Sequence, residues 1–312
     1  MTRCFLLLAA LVWPLTVAAD NPYELTPQQV ADNTYVFVGA LEHFSYDNLG
    51  NIVNTGFIVT DDGVVVIDTG PSRLYGEAMR EAIAGVTDKP VVQVYITHHH
   101  PDHYLGNQAF ADVDIGALSG TIEQIRAIGA DLTTNMYNLV GGAMRGTESL
   151  PPTQEVTAGS RVTVGGHELE LIGMQGHTGA DLAILDHTTG VLFAGDLAFL
   201  NRTPTTPNAD VATWVETLHT LSQREFATLV PGHGPVRDDA EAIAQTQTYL
   251  SWLWRNLNAA AGHGLDMPEV MMQELPYRWR GLAVIVPEFR RSVSHLYPDI
   301  EADVLEPVAG QE

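Results

Sequence analysis

The residues best suited to chemistry are concentrated in one short segment, Thr97–His103, which contains four histidines and one aspartate. In an extended chain alternate side chains share a face, so His98 and His100 are expected to point together and His99 away from them. Pro101 then turns the backbone, which lets the aspartate and histidine that follow approach the same space. Burying so many imidazole and carboxylate groups is costly unless cations lie between them. The apolar run before the segment favours a metal site over the alternative, a solvated histidine-rich loop.

Three further polar residues repeat one arrangement, in which a glycine-flanked side chain follows an apolar run. They are His177, Asp196 and His233. Glycine lets the backbone turn tightly and come close to a bound ion. Each of these residues alone is more typical of a turn than of a metal ligand. The four segments together predict one site with nitrogen and oxygen ligands.

Short strands and amphipathic helices are expected to position these residues. Apolar and β-branched runs predict strands over residues 35–38, 52–60, 64–68, 91–97, 161–164, 168–172, 182–186, 191–194 and 226–230. Helical spacing predicts helices over 72–84, 120–147, about 210–222 and 238–260, with glycines dividing the second into two pieces. Strands followed by helices, twice, imply an α/β fold in which sheet packs on sheet with helices outside.

The N-terminus has the pattern of an export signal. Arg3 supplies the positive charge, Phe5–Trp13 an apolar stretch, and Val17–Ala19 the small residues of a cleavage site. A buried core helix is the alternative, but Pro14 would interrupt it. We therefore expect residues 1–19 to be a signal peptide and the mature protein to be periplasmic or secreted. The single cysteine, Cys4, would leave with the signal.

The charge balance narrows the choice of partners. The chain carries 15 lysines and arginines against 38 aspartates and glutamates, a formal net charge of −23. Such a surface repels polyanions, so nucleic acid and anionic membrane lipid are poor partners. No segment approaches the roughly 18 unbroken apolar residues of a membrane span, so no membrane contact is expected after signal removal. A small-molecule substrate is the expected partner.

The order of the candidate ligands resembles that of a known family. The series His98, His100, Asp102, His103, His177, Asp196 and His233 is similar to the metal-binding pattern of the metallo-β-lactamase superfamily of metallohydrolases. Ile67–Gly70 resembles the first motif of that family. The resemblance implies an αβ/βα four-layer sandwich with a helical C-terminal extension. We expect residues 20–261 to form the catalytic domain and residues 262–312 the extension packed on the core.

The resemblance also implies a role for each residue. It assigns His98, His100 and His177 to a first metal, and Asp102, His103 and His233 to a second, with Asp196 bridging the two. Asp102 would also hold a metal-bound hydroxide in line for attack, and Asp68 would orient a ligand. Imidazole and carboxylate donors suit two zinc ions per chain, and they suit iron and manganese as well.

Asp196 indicates the branch of the superfamily. Some lactamases have a cysteine ligand at this position, so the aspartate disfavours those classes. The chain thus resembles glyoxalase II-like hydrolases, and its motifs and export signal resemble a periplasmic zinc-metallohydrolase branch associated with quinoprotein oxidation systems. The expected function is hydrolysis of a small ester, thioester, lactone or amide, serving a periplasmic quinoprotein pathway. A cysteine-free metallo-β-lactamase and a non-enzymatic metal- or cofactor-binding accessory protein are the alternatives.

The sequence assigns no substrate-binding residue. The segments 41–54 and 201–210, the second with Arg202, are candidates for walls of the cleft and equally for ordinary surface loops. Asp181 is either in contact with a ligand or simply the start of a strand. The remaining histidines lack a ligand pattern and are expected to be exposed or to cap helices: His167, His187, His219, His263 and His295.

Overall fold

Two β-sheets pack face to face and carry helices on both outer sides in the computed structural model, which describes residues 21–305. The α/β four-layer sandwich with a helical C-terminal extension is thereby confirmed. The signal peptide expected over residues 1–19 lies outside the described residues. Between residues 21 and 305, no helix combines the length and hydropathy needed to cross a bilayer.

The first sheet has seven strands that lie in chain order. They are β1 (Gln28–Ala31), β2 (Thr34–Phe37), β3 (Thr55–Val59), β4 (Val64–Ile67), β5 (Val91–Tyr95), β6 (Ile115–Ala117) and β7 (Gln154–Glu155). Neighbours from β1 to β4 are antiparallel, and those from β4 to β7 are parallel. The chain leaves β5 directly into the histidine-rich segment, so this sheet positions the first group of candidate ligands.

The second sheet has five strands in the order β12-β11-β10-β9-β8. They are β8 (Ser160–Val164), β9 (His167–Met174), β10 (Asp181–Asp186), β11 (Val191–Phe199) and β12 (Thr228–His233). The pairs from β8 to β11 are antiparallel, and β12 joins β11 in parallel. This sheet supplies the other candidate ligands.

The helices lie outside the sheets. They are α1 (Arg73–Ala84), α2 (Pro101–Tyr104), α3 (Ser119–Val140), α4 (Val211–Leu221), α5 (Glu241–Gly262), α6 (Met267–Met271) and α7 (Ile285–Leu305). The expected division of residues 120–147 by glycine is found at Gly141, which has φ +63°: α3 ends there and a short 3-10 helix, Gly141–Met144, follows. The helix is continuous through Gly129. A β-carbon at Gly129 would lie 2.1 Å from the Ser149 hydroxyl, so this glycine permits close packing and does not end the helix.

Apolar side chains fill three layers. Between the sheets, Ile58 and Ile67 of the first sheet meet Leu171 and Ile184 of the second. A second cluster joins the first sheet to α1 and α3, and a third joins the second sheet to α4, α5 and the C-terminal helices. In the third cluster Trp279 is buried against α5. Because both sheets are held on both faces, the edge where their loops meet is a rigid support for a site.

Candidate metal centre

Seven histidine and aspartate side chains from both sheets meet at one edge of the sandwich. Six of them are at most 4% exposed: His98, Asp102, His103, His177, Asp196 and His233. The seventh, His100, is half-buried and lines a cavity that opens at this edge. The structure therefore brings together every residue that the sequence placed in the candidate ligand set, although these residues are spread along the chain from His98 to His233.

The first group consists of His98, His100, His177 and Asp196, whose candidate donor atoms lie within 4.8 Å of one another. The His177 Nε2 atom is 2.9 Å from His100 Nδ1 and 3.3 Å from Asp196 Oδ2. The His98 Nε2 atom is 3.9 Å from the same Asp196 oxygen. Three imidazole nitrogens and one carboxylate oxygen thus converge on one small volume.

The second group consists of Asp102, His103 and His233. The Nε2 atoms of His103 and His233 lie 3.2 and 3.3 Å from Asp196 Oδ1. They lie 3.8 and 3.5 Å from Asp102 Oδ2. Asp196 therefore presents one carboxylate oxygen to each group, which is the arrangement that a bridging ligand requires.

Hydrogen bonds on the far side of two imidazoles fix which nitrogens carry lone pairs. His103 donates from Nδ1 to Asp68 Oδ2 at 2.7 Å, and His233 donates from Nδ1 to the carbonyl oxygen of Ile52 at 2.6 Å. Their Nε2 lone pairs then face the oxygens of Asp102 and Asp196, and two such electron-rich atoms repel each other unless a cation lies between them. Orienting hydrogen bonds of this kind are typical of metal-ligating histidines.

Three buried atoms at the centre have no hydrogen-bond partner among residues 21–305. They are His98 Nε2, His103 Nε2 and Asp196 Oδ1. Buried polar atoms are almost always paired, so three unpaired atoms that face each other need a common partner. The set of donors fits divalent metal ions with nitrogen and oxygen ligands.

The electrostatics of the two groups differ in a way that also suits cations. Burial lowers the pKa of His100 to about 3 and the pKa of His98 and His177 well below the ordinary value, so these imidazoles are neutral, as ligation requires. Burial acts in the same direction on His103, but the charges of Asp196 and its carboxylate neighbours outweigh it and raise the pKa of His103 well above the ordinary value. This side of the centre therefore attracts positive charge.

Asp68 is fixed where β4 ends. Its carboxylate accepts hydrogen bonds from the backbone and side chain of Thr97, both at 2.8 Å, in addition to the one from His103. The backbone of Asp68 has φ +57°, in the left-handed region that non-glycine residues rarely adopt. The strained residue is thus held from several sides, and it sets the orientation of the His103 ring.

Asp196 lies inside a strand, and its expected position after a strand end is wrong. The pairing of β11 with β12 shifts register on both sides of Gly195, which has φ +52°, so the strand bulges there and continues to Phe199. A β-carbon at Gly232 on β12 would lie 2.0 Å from Asp196 Oδ1. A glycine at this point of β12 is therefore required for the carboxylate to reach the centre.

The turn that carries His177 is held by Asp181. The Asp181 carboxylate accepts hydrogen bonds from the Thr178 backbone at 2.9 Å and from the Thr178 hydroxyl at 2.7 Å. The His177 ring packs against Trp214 of α4, with ring centroids 5.0 Å apart. Burial raises the pKa of Asp181 to about 7. Asp181 therefore supports a candidate ligand through the backbone.

Comparison with known proteins places this geometry in a family. The family model described as "Metallo-beta-lactamase superfamily" matches residues 49–233, more than half of the chain. The chain belongs to the metallo-beta-lactamase superfamily. All seven candidate ligands lie inside the matched region, so the part of the chain that matches the superfamily contains the whole candidate centre.

Individual relatives are distant. A linear primary-alkylsulfatase of a Pseudomonas strain is 22% identical over 282 residues, covering 76% of this chain and 53% of that protein. The beta-lactamase-like protein 2 homolog of Caenorhabditis elegans is 25% identical over 199 residues, covering 63% of this chain and 60% of that protein. The chain thus spans little more than half the length of either relative.

Solved structures of other superfamily members share the fold. The metallo-beta-lactamase IND-7 superposes with a TM-score of 0.59 at 19% identity, covering 73% of this chain and 98% of that chain. A metallo-beta-lactamase from Pontibacter korlensis gives a TM-score of 0.55 at 21% identity, covering 73% of this chain and 99% of that chain. These likenesses establish the shared sandwich.

The cavity above the centre is built partly from outside the superfamily match. It has a volume of about 120 Å³, with Asp102, Asp196 and His233 among its lining residues. His43 and Arg202 also line it, and so does Arg291 of α7, which lies beyond residue 233. The sequence suggested Arg202 as part of a wall, but it gave no signal for Arg291, because the local sequence around a helical arginine does not show what the helix packs against.

Asn208 is a further residue that the sequence did not single out. Its Oδ1 atom accepts a hydrogen bond from His100 Nε2 at 2.9 Å, which leaves His100 Nδ1 free to face His177. Asn208 lies in the loop before α4, the same loop as Arg202. This loop therefore contacts both a candidate ligand and the cavity.

Proposed function

We propose that the protein is a dinuclear metal-dependent hydrolase of a small-molecule substrate, with zinc as the resident metal. The observation that carries this proposal is the position of Asp196, which directs one oxygen at each of two groups of ligands. One ion would be held by His98, His100 and His177, and the other by Asp102, His103 and His233. Zinc in such a site lowers the pKa of a bound water and polarises the group under attack.

The protein's own residues would do the remaining work. Asp102 lines the cavity and has a single ion-pair-range contact with each of two histidines, so one of its oxygens is available to accept a proton from attacking water. His100 and His233 border the same space and would fix the direction of attack. The candidate ligands on the protein side of the centre are buried, and their burial excludes bulk water from that side.

The substrate class that we propose is an acyl compound: an ester, thioester, lactone or amide. Metal-assisted hydrolysis of such a compound needs no serine or cysteine nucleophile, and among residues 21–305 neither residue type lines the cavity. We also propose that the mature protein acts in the periplasm and serves a quinoprotein system. Support for that setting comes from the signal-like N-terminus and from the resemblance of the motifs to the quinoprotein-associated, glyoxalase II-like branch.

A second candidate is sulfate-ester hydrolysis. The alignment with the linear primary-alkylsulfatase favours it, because that alignment covers 76% of this chain. A dinuclear metal centre could hydrolyse either an acyl bond or a sulfate ester, since in both cases water attacks an electrophilic atom whose oxygens a metal would polarise. Parallel assays with p-nitrophenyl acetate and p-nitrophenyl sulfate separate the two candidates.

The test combines metal analysis with hydrolysis. We expect about two equivalents of zinc per chain, and hydrolysis of at least one acyl substrate that a chelator abolishes and zinc restores. Asp196→Asn should lose both metals and activity together. Asp186→Asn is the matched control, because Asp186 is equally buried and also faces a histidine, at a distance from the centre. One metal equivalent with full activity in the wild type would overturn the dinuclear assignment.

A further inference from the structure

Arg202 is a buried cation at the cavity beside the candidate metal centre. Arg202 is 3% exposed. Among the described residues its guanidinium donates hydrogen bonds only to neutral oxygens, namely the backbone carbonyls of Glu42 and Thr203 and the hydroxyl of Thr205. Among residues 21–305 no carboxylate forms an ion pair with it, and its Nη2 group has no acceptor. Buried arginines are normally paired with an anion, so this one is set up for an anion from outside the chain.

The backbone that holds Arg202 in place is strained. Asn201 and Val284 have φ +59° and +54°, and they flank a parallel bridge between Arg202 and Ala283. A left-handed conformation is uncommon for any residue with a side chain and a genuine outlier for β-branched valine. Strain of this kind persists where the surroundings over-determine it, and it clusters at functional sites.

The C-terminal segment supplies this restraint. Ala283 donates from its backbone to the carbonyl of Asn201 at 2.9 Å and accepts from the backbone of Thr203 at 3.1 Å. On α7, the Ser292 hydroxyl accepts from the hydroxyl of Thr206 at 2.8 Å. Residues 283–292 therefore lock the loop that carries Arg202, although they lie outside the region matched by the superfamily.

The carboxylates near Arg202 are engaged by other groups of the chain. Glu288 of α7 is fully buried and lies 3.4 Å from His43 Nδ1 and 3.6 Å from Arg291 Nη1. One carboxylate thus faces two arginines, with Arg291 as its nearer cationic partner. Asp102 and Asp196 line the same cavity, but both belong to the candidate metal groups, where bound ions would neutralise them. Arg202 would then be a cation without an ion-pair partner in a chain of net charge −23, and an anion would be drawn to it more strongly than to the surrounding surface.

We propose that Arg202 and Arg291 form an oxyanion-binding clamp for the substrate, built jointly by the loop after β11 and by α7. The inference rests on the proposed hydrolase function and deepens it: the substrate would carry a carboxylate, sulfate or phosphate group. The two arginines, Asp102 and Asp196 all line one cavity of about 120 Å³. The anion would therefore lie against Arg202 while the bond to be cleaved lies over the two aspartates. So small a cavity places the anion close to that bond.

Direct binding measurements on the zinc-loaded protein test the clamp. Calorimetric titration with benzoate, benzenesulfonate and the neutral analogue benzamide should show tighter binding of both anions, by about tenfold or more, as charge-assisted hydrogen bonds provide. Arg202→Met should remove this preference, and Arg202→Lys should restore part of it. Arg291→Met should weaken anion binding by a smaller factor, because Arg291 is partly exposed and shared with Glu288.

The controls separate the clamp from other causes. Arg255 is exposed on α5 and lies outside the cavity, so Arg255→Met should keep the full anion preference. Zinc content and circular dichroism of each variant show whether the centre and fold are intact. Should Arg202→Met misfold, Arg291→Met and Arg202→Lys still report on the clamp.

The outcomes distinguish this inference from the proposed function. An anion preference that survives in Arg202→Met with zinc retained would mean that the anions bind the metals, and the clamp would be wrong. Equal binding of benzoate and benzamide by the wild type would also overturn it. Failure to bind zinc would instead overturn the proposed function, while the metal-free protein would still show whether Arg202 prefers anions.

Discussion

Two buried histidine–aspartate pairs in this protein have nearly the same geometry and different surroundings. His103 donates to Asp68 at 2.7 Å beside the candidate metal centre, and His167 pairs with Asp186 at 2.8 Å where β9 begins and β10 ends. All four residues are at most 7% exposed. The pair alone therefore does not identify a metal ligand.

What differs is the second nitrogen of each ring. His103 Nε2 has no hydrogen-bond partner among residues 21–305 and faces the carboxylates of Asp102 and Asp196. Within the same part of the chain His167 has no second carboxylate in ion-pair range. Asp186 instead also accepts from the Thr189 hydroxyl at 2.7 Å, which closes the turn between β10 and β11. One pair orients a candidate metal ligand, and the other holds a hairpin.

The comparison is tested most strongly by removing each imidazole. His103→Ala should lose one of two metals and reduce hydrolysis by about a thousandfold or more, because a metal supplies several kcal/mol of transition-state stabilisation. His167→Ala should keep its metal content and activity, and lower the free energy of unfolding by about 1–3 kcal/mol, the cost of removing one hydrogen bond to a buried carboxylate. Metal analysis, steady-state kinetics and urea denaturation measure these effects. Equal losses of metal in the two variants would show that the second nitrogen does not matter.

The sequence predicted the seven candidate ligands because each lies in a local pattern. The histidine-rich segment follows an apolar run, and His177 and His233 are flanked by glycines, so neighbours along the chain disclose them. The structure brings them together, and their role as ligands stays a prediction. The glycine before Asp196 predicts that this residue follows the end of a strand, whereas Gly195 only causes a bulge in β11, which then continues.

Residues whose environment comes from distant segments could not be predicted. His167 was expected to be exposed or capping, but it is buried, because its partner Asp186 is 19 positions away across the β9–β10 hairpin. Arg291 reaches the cavity, and Glu288 reaches His43 at its border, only because α7 packs back against the loop after β11. Helical periodicity can show that such a helix exists, but it does not show which element the helix covers.

The second test removes the aspartates of the two pairs. Asp68→Asn should weaken zinc affinity by about 10–100-fold, since loss of an orienting partner typically has that effect on a metal site. Asp186→Asn should leave zinc affinity unchanged and lower thermal stability. Competition with a chromophoric chelator measures affinity independently of activity. Unchanged affinity in Asp68→Asn would mean that Thr97 or the backbone alone holds the His103 ring.

A smaller effect is expected at the rim of the centre. Asn208→Ala removes the acceptor of His100 Nε2, a neutral and partly exposed contact, so zinc affinity should fall by about tenfold or less. Asn258→Ala is the matched control, because the Asn258 amide donates a hydrogen bond to the Trp254 carbonyl on α5, away from the centre. A loss as large as that of Asp68→Asn would place Asn208 among the principal supports of the site.

The smallest effect belongs to a third histidine–carboxylate pair, which is partly exposed. His187 Nε2 lies 2.8 Å from Glu170 Oε2, and Arg224 donates to Oε1 at 2.8 Å. Burial alone would raise the pKa of Glu170, but the hydrogen bonds from His187 and Arg224 and the charges of Arg224 and Arg161 lower it below the ordinary value. The folded state therefore favours the charged carboxylate.

The sign of the pH dependence follows from this lowered pKa. The pairs formed by Glu170 stabilise the protein fully above the unfolded-state pKa, near 4.3 for a glutamate, and this contribution disappears as the pH falls through the lower folded-state value. Glu170→Gln should be less stable than the wild type at pH 7 by under about 1 kcal/mol, because partly exposed ion pairs are screened. Urea denaturation of the metal-free proteins should show the difference shrinking toward pH 3, whereas Glu123→Gln, an exposed residue on α3, should match the wild type throughout. If the difference in the free energy of unfolding grew on acidification, the desolvation of Glu170 would exceed the stabilisation from its ion pairs, and the prediction would be wrong.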